Sequence, residues 1–229
     1  MRALLLVVAI GALLLFGCAQ QEVQPAESEP SQREILLNPE HPAWSASAPD
    51  TFLARFETSK GDFAIRVVRS WAPLGADRFY NLVRLGYYDD ARFHRTVPDF
   101  IVQWGLSGDP AITATWMGRM LRDDPVLASN TRGSVAYAFT EVDTRSTQIF
   151  ISLVDLTRLD AGGFAPFGRV VEGMDVVDAL YSGYGEESGG GLRAGAQDSV
   201  IAGGNDYLDR AFPELDRLFR ATIELGGAA

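Results

Sequence analysis

The sequence predicts a mainly β domain: a closed antiparallel eight-stranded β-barrel with two or more α-helices over its ends. Two observations carry this. Short runs of alternating apolar and polar residues recur between Gly- and Asp-rich turns, the period-two signature of strands with one buried face. Helical periodicity is confined to a few stretches and never alternates with strands in a βαβ rhythm, which argues against a parallel sheet.

The elements follow in order. Phe52, Ala54 and Phe56 alternate with Leu53, Arg55 and Glu57, Ser59-Lys60-Gly61 turns the chain, and Phe63, Ile65 and Val67 alternate with Ala64, Arg66 and Val68. That is a β-hairpin. Pro73 opens a helix at its first turn, Phe79, Leu82 and Val83 give its apolar stripe, and Gly86 closes it. Short strands are expected over 92–96, 99–104, 133–139, 147–153 and 165–171, with a second short helix over 174–181. The many glycines of 182–204 indicate a long loop, Asp206–Phe219 reads as helical with a break at Pro213, and Ala221–Leu225 reads as a closing strand. The domain is expected over 51–226.

Upstream the composition changes. Arg2 followed by the apolar run Ala3–Phe16 reads as a secretion signal over residues 1–17, too short for a comfortable membrane span. Residues 18–50 are expected as a tether: polar and Pro-punctuated at first, then carrying Leu36, Leu37 and Trp44 that can dock on the domain without regular structure. The 229 residues carry 20 Lys+Arg against 30 Asp+Glu, a net charge of −10. So acidic a chain argues against nucleic acid as a partner.

Chemistry concentrates in Phe93–Gln103 and Thr147–Ile151, which put Arg95, Gln103 and Gln148 beside Phe100 and Phe150 on strand-like segments. No good nucleophile or neutral-pH proton carrier is among them. A fixed cationic fork beside an aromatic wall suits a reaction that breaks no covalent bond. With two histidines and one cysteine, the chain cannot build a Cys/His dyad or a histidine-rich zinc site. His94 is expected as a hydrogen-bonded structural side chain. Asp123-Asp124 and the carboxylates of Glu141–Asp143 are expected in solvated turns, and Gly189-Gly190-Gly191 as a linker rather than a phosphate cradle.

These segments, with Leu159-Asp160 and Phe164–Met174, resemble cyclophilin-type peptidyl-prolyl isomerases over roughly Phe52–Leu225. The resemblance implies Arg95 as the catalytic arginine and Gln103 as the glutamine that orients it. It implies a proline-gripping wall of Phe100, Ile101, Phe150, Leu159 and Phe164, and substrate-backbone contacts from Ala138, Phe139 and Gln148. It implies no cofactor and no metal. The chain departs from familiar members where Arg158 stands for a tryptophan, Phe164 for a histidine, Ala138-Phe139-Thr140 for Ala-Asn-Ala, and Trp104–Asp109 for a tighter Gly-Gly-Asp turn. Arg158 implies weak binding of cyclosporin, and Phe139 implies a crowded groove.

Leu15-Phe16-Gly17-Cys18 also resembles a bacterial lipobox, implying lipid attachment at Cys18. Together these features lead to an expected monomeric, envelope-anchored isomerase, facing the periplasm from the outer membrane if the cell has one. Its partners would be unfolded or Pro-containing exported polypeptides and, through the lipid, the membrane. The alternative is a chaperone or scaffold that binds Pro-containing segments with little turnover.

Overall fold

In the computed structural model, which describes residues 29–188 and 197–224, the N-terminal hairpin is the spine of the sheet. Strands β1 (Thr51–Thr58) and β2 (Gly61–Val68) pair antiparallel with Phe52 opposite Val67 and Phe56 opposite Phe63. The alternation seen in the sequence sends Phe52, Ala54, Phe56, Phe63, Ile65 and Val67 inward, all buried. The Phe56 and Phe63 rings stack at 4.8 Å. Gly61 turns the corner at φ +122°, a backbone region that side chains resist.

Seven further strands complete the sheet: β3 (Ala91–Arg92), β4 (Arg95–Val97), β5 (Ile101–Trp104), β6 (Ser134–Tyr137), β7 (Ile149–Ser152), β8 (Pro166–Glu172) and β9 (Arg217–Glu224). Their order is β3-β9-β1-β2-β8-β6-β7-β5-β4, with every pairing antiparallel. This corrects the expected closed eight-stranded barrel: nine strands form an open, curled sheet. The expected strand over 92–96 is split, and its halves are the two edges. Between them the backbone is otherwise engaged: the Phe93 amide donates to the Asp216 carbonyl at 3.2 Å and the His94 carbonyl accepts from Ser188 Oγ at 2.7 Å. No ladder forms there, yet three residues of chain keep the edges within roughly 11 Å.

Helix α2 (Pro73–Arg84) lies on the core through Phe79, whose ring meets Phe52, Phe56 and Phe167. Its first amides, on Leu74 and Gly75, donate to the Asp124 carboxylate at 3.0 and 2.9 Å. Asp124 also pairs with Arg145 at 3.0 Å, and both side chains are at most 2% exposed. Asp124 is therefore a buried helix-terminal anion and not part of a solvated turn; the positive end of the helix and the guanidinium together compensate its burial.

Part of the expected tether is structured. Helix α1 (Gln32–Leu36) starts with a capping box between Ser31 and Glu34. Leu36 and Ala48 enter the core, Trp44 packs edge-on against Trp116 at 4.4 Å, and Trp116 Nε1 donates to the Leu36 carbonyl at 2.8 Å. Trp116 belongs to α3 (Pro110–Met117), a helix the sequence reading missed; Asp109 caps it by accepting from Ala111 N at 2.8 Å, and Pro110 fills its first turn. Helix α4 (Met174–Asp178) is shorter than expected. Helix α5 (Gln197–Ala211) begins inside the stretch expected as loop, bends at Gly204, and stops before Pro213, so β9 starts at Arg217 within the expected 206–219 helix. Among the described residues no helix is long and apolar enough to cross a membrane. Residues 1–17, Cys18 and Gly189–Gly191 lie outside the described residues.

Candidate active site

Strand register assembles the site. Arg95 on β4 faces Gln103 on β5, which faces Phe150 on β7, which faces Ala136 on β6. Residues opposed across neighbouring strands share a face of the sheet. Val102, Trp104, Ile149 and Ile151, one residue out of step, fill the main core instead. The face bearing Gln103 and Phe150 carries a second, smaller apolar cluster: Ile101, Ala136, Phe150 and Leu156, with Phe100, Ala138, Leu159 and Phe164 against it.

A cavity of about 540 Å³ opens on this face. Arg95, Phe100, Ile101, Gln103, Ala138, Phe139, Gln148, Phe150, Leu159 and Phe164 all line it, so the fold gathers in one place every residue singled out for catalysis or substrate binding. Thr140, Arg158, Glu186 and Gln197 line it too. Glu186 and Gln197 were not anticipated, because no spacing or motif connects them to Arg95.

A chain of polar contacts fixes the arginine. Arg95 Nη1 donates to Gln103 Oε1 at 3.0 Å, and Gln103 Nε2 donates to Gln148 Oε1 at 2.8 Å. Gln148 thus engages Gln103, a contact not foreseen in its expected role toward substrate. On its other edge Arg95 forms a fork with Glu186, Nε to Oε2 at 2.8 Å and Nη2 to Oε1 at 2.6 Å. The guanidinium also lies 5.4 Å from the centre of the Phe100 ring, and that of the exposed Arg158 lies 5.4 Å from the same ring.

Local backbone explains these positions. Phe100 follows a tight turn in which Pro98 takes the second place and Asp99 the third at φ +56°, closed by Phe100 N donating to the Val97 carbonyl at 3.1 Å. Proline's fixed φ and aspartate's tolerance of positive φ suit those places. Gly105, at φ +119°, lets the strand end approach residues 147–148 so closely that a Cβ would meet the Thr147 carbonyl oxygen at 2.4 Å. Tyr88 Oη donates to that same carbonyl at 2.9 Å, which steadies Gln148 beside Gln103. Across the cavity, Asp160 accepts from Ser129 Oγ and from Asn130 N at 2.9 Å, and Asn130 Nδ2 donates to the Phe164 carbonyl at 2.7 Å, pinning the loop that carries Arg158, Leu159 and Phe164. Burial alone would raise the Asp160 pKa, but those hydrogen bonds outweigh it and hold the group below its ordinary value.

Phe139 stacks on Phe164 at 4.3 Å, and Phe164 meets Phe150 edge-on at 5.8 Å. The aromatic that was expected to crowd the groove is thereby part of its wall. His94 is fully buried behind the site, and neither ring nitrogen reaches a partner in hydrogen-bond geometry, contrary to the hydrogen-bonded role expected for it. Burial pushes its pKa down to about 4, more than the nearby Gln148 and Arg92 backbone offset, so the ring is neutral at pH 7 and carries no proton for the site.

Residues 53–196 match the family model described as cyclophilin type peptidyl-prolyl cis-trans isomerase/CLD, a stretch of well over half the chain. The chain belongs to that family. Among curated relatives it is 35% identical over 145 residues to peptidyl-prolyl cis-trans isomerase A of Dickeya dadantii, covering 61% of this chain and 75% of that one. It is 31% identical over 141 residues to a peptidyl-prolyl cis-trans isomerase of Acinetobacter baylyi, covering 59% and 75%. It is 34% identical over 145 residues to mouse peptidyl-prolyl cis-trans isomerase-like 1, covering 59% and 85%. Its fold is similar to a crystal structure of a Cryptosporidium parvum cyclophilin type peptidyl-prolyl cis-trans isomerase, with TM-score 0.57 at 21% identity over 77% of this chain and 99% of that one. By enzyme class this cyclophilin is a peptidyl-prolyl cis-trans isomerase.

Proposed function

We propose that this cyclophilin accelerates rotation about Xaa-Pro bonds in exported polypeptides by electrostatic stabilisation of the twisted amide, from a lipid-anchored position at the cell envelope. The observation that carries the mechanism is Arg95: a guanidinium oriented by Gln103 at 3.0 Å on the rim of an apolar, aromatic-walled cavity. Rotation of an amide must break its resonance, against a barrier of about 18–20 kcal/mol. The apolar wall of Ile101, Phe150, Leu159 and Phe164 suits a proline ring, and Arg95 stands where it can donate to the neighbouring carbonyl or to the pyramidal prolyl nitrogen. Arginine stays charged throughout and needs no proton transfer, which fits a site whose one histidine is neutral and buried. An acceleration on the order of 10⁵ requires about 7 kcal/mol of preferential binding to the twisted state.

Export and anchoring rest on the apolar run Ala3–Phe16 and on the position of Cys18 at its end. The alternative, a binder of Pro-containing segments with little turnover, has one observation in its favour: Arg95 is already engaged by Glu186. The deciding experiment measures isomerisation of Xaa-Pro tetrapeptides by the full chain in detergent and by Arg95→Ala. Loss of about two or more orders of magnitude in kcat/KM with an unchanged circular dichroism spectrum is expected. Absence of turnover in the wild type overturns catalysis in favour of the binder, and equal loss of fold and activity makes Arg95 a structural residue.

A further inference from the structure

We infer that Glu186 is an active-site residue that competes with the substrate for Arg95, so that every Xaa-Pro segment must displace a carboxylate belonging to the enzyme itself. This rests on the reading of Arg95 as the group that stabilises the twisted amide.

The contact is a fork at 2.8 and 2.6 Å, the most favourable geometry for an arginine–carboxylate pair. A guanidinium has five N–H donors. Glu186 takes Nε–H and one on Nη2, and Gln103 takes one on Nη1, leaving two. The charge matters more than the count. A carboxylate in contact cancels much of the positive potential that a carbonyl or a pyramidal nitrogen would feel. Gln103 differs in kind: it is neutral, so it orients the guanidinium without cancelling its field.

The segment bearing Glu186 is built to deliver it. On one side Tyr184 packs edge-on against Tyr181 and Phe212, each at 5.1 Å, and its hydroxyl accepts from Glu214 N at 3.4 Å. On the other side Ser188, 1% exposed, donates its hydroxyl to the His94 carbonyl at 2.7 Å, one residue before Arg95. Between these anchors Gly185 N bonds the Ser182 carbonyl at 3.0 Å and Glu187 N the Tyr184 carbonyl at 2.8 Å. The turn is thus fastened at both ends around the one side chain that reaches into the cavity. Displacement remains feasible because the Glu186 side chain is 37% exposed and regains water when it leaves, while Arg95 is 12% exposed. A partly exposed pair of this kind is screened by salt.

The test compares the wild type with Glu186→Gln and with Ser188→Ala, which loosens the turn. The readouts are the Kd of the uncharged capped dipeptide acetyl-Ala-Pro-amide by NMR titration and kcat/KM on an Ala-Pro tetrapeptide. Glu186→Gln is expected to tighten dipeptide binding about tenfold and to raise kcat/KM about tenfold, chiefly through KM, which corresponds to about 1.4 kcal/mol. Ser188→Ala is expected to give part of the same gain. Raising NaCl from about 50 mM to about 500 mM should tighten dipeptide binding to the wild type several-fold and leave Glu186→Gln flat. Unchanged or weaker dipeptide binding by Glu186→Gln, or a fall in its kcat, overturns the proposal and makes Glu186 a second positioning group for Arg95. Wild-type affinity that does not respond to salt overturns it without recourse to any variant. Tighter dipeptide binding by Glu186→Gln with no turnover in either protein leaves the competition standing and refutes the isomerase reading instead.

Discussion

Replacing Gln103 by leucine isolates what orientation of Arg95 contributes. Leucine occupies nearly the same volume on β5, where the glutamine is 5% exposed, so the sheet can keep its packing. Two hydrogen bonds disappear: the one accepted from Arg95 Nη1 at 3.0 Å and the one donated to Gln148 Oε1 at 2.8 Å. The first involves a charged donor and is worth about 1.5–3 kcal/mol, the second about 1 kcal/mol. Only the first restrains the arginine directly. If it acts fully in the twisted state, at about 1.36 kcal/mol per decade the loss is roughly one to two orders of magnitude in kcat/KM. Glu186 still grips the opposite edge of the guanidinium in the free enzyme, so Arg95 is held but held off its productive direction. The assay is cis-to-trans isomerisation of an Ala-Pro tetrapeptide, run beside thermal melts of both proteins. A loss smaller than threefold, or one that tracks a large fall in Tm, would refute the argument that Gln103 acts through Arg95.

Arg158→Trp should tighten inhibition by cyclosporin by about one to three decades, because an indole over Phe100 supplies a packed face and a neutral donor where Arg158 offers an exposed charge; competitive inhibition constants for the two proteins check this, and equal values would show that residue 158 does not meet the drug. On the proposed lipid anchor, Cys18→Ser should abolish membrane fractionation of the protein or leave residues 1–17 uncleaved, as judged by detergent partitioning and mass of the product. Identical soluble, processed material from both proteins would remove the lipid from the account.

The parts of this fold that were legible in the sequence are those whose cause is local. The β1–β2 hairpin is written in alternation around Gly61, and α2 in Pro73 and the Phe79–Leu82–Val83 stripe. Helix α3 escaped because its buried side chains, Ile112, Thr113 and Trp116, make no repeated stripe in eight residues, although Asp109-Pro110 was a usable start signal. Helix α5 escaped because Gly203-Gly204 reads as loop, and Gly204, at φ +51° and ψ −143°, does leave the helical region, so that the stretch is two helical segments meeting at a kink. The split of the 92–96 strand depended on remote partners, Asp216 and Ser188, that no local pattern names. The same division runs through the site. Arg95, Phe100 and Gln103 sit within nine residues and share a motif, whereas Glu186 lies 91 residues from the arginine it holds and Asp124 21 from the arginine that neutralises it.

The position of β9 governs the order in which the molecule can assemble. The last strand among the described residues lies inside the sheet, between β3 and β1, with Leu53 opposite Glu224. A nascent chain can zip its β1–β2 hairpin early, but the other margin of β1 stays unpaired until residues 217–224 have emerged, more than 140 residues later. Closing so long a loop is entropically slow, and the row of exposed amides and carbonyls is meanwhile a template for pairing with another chain. Completion of the sheet therefore waits for residues 217–224, and a chain truncated before Arg217 would leave both β1 and β3 without the neighbour they share.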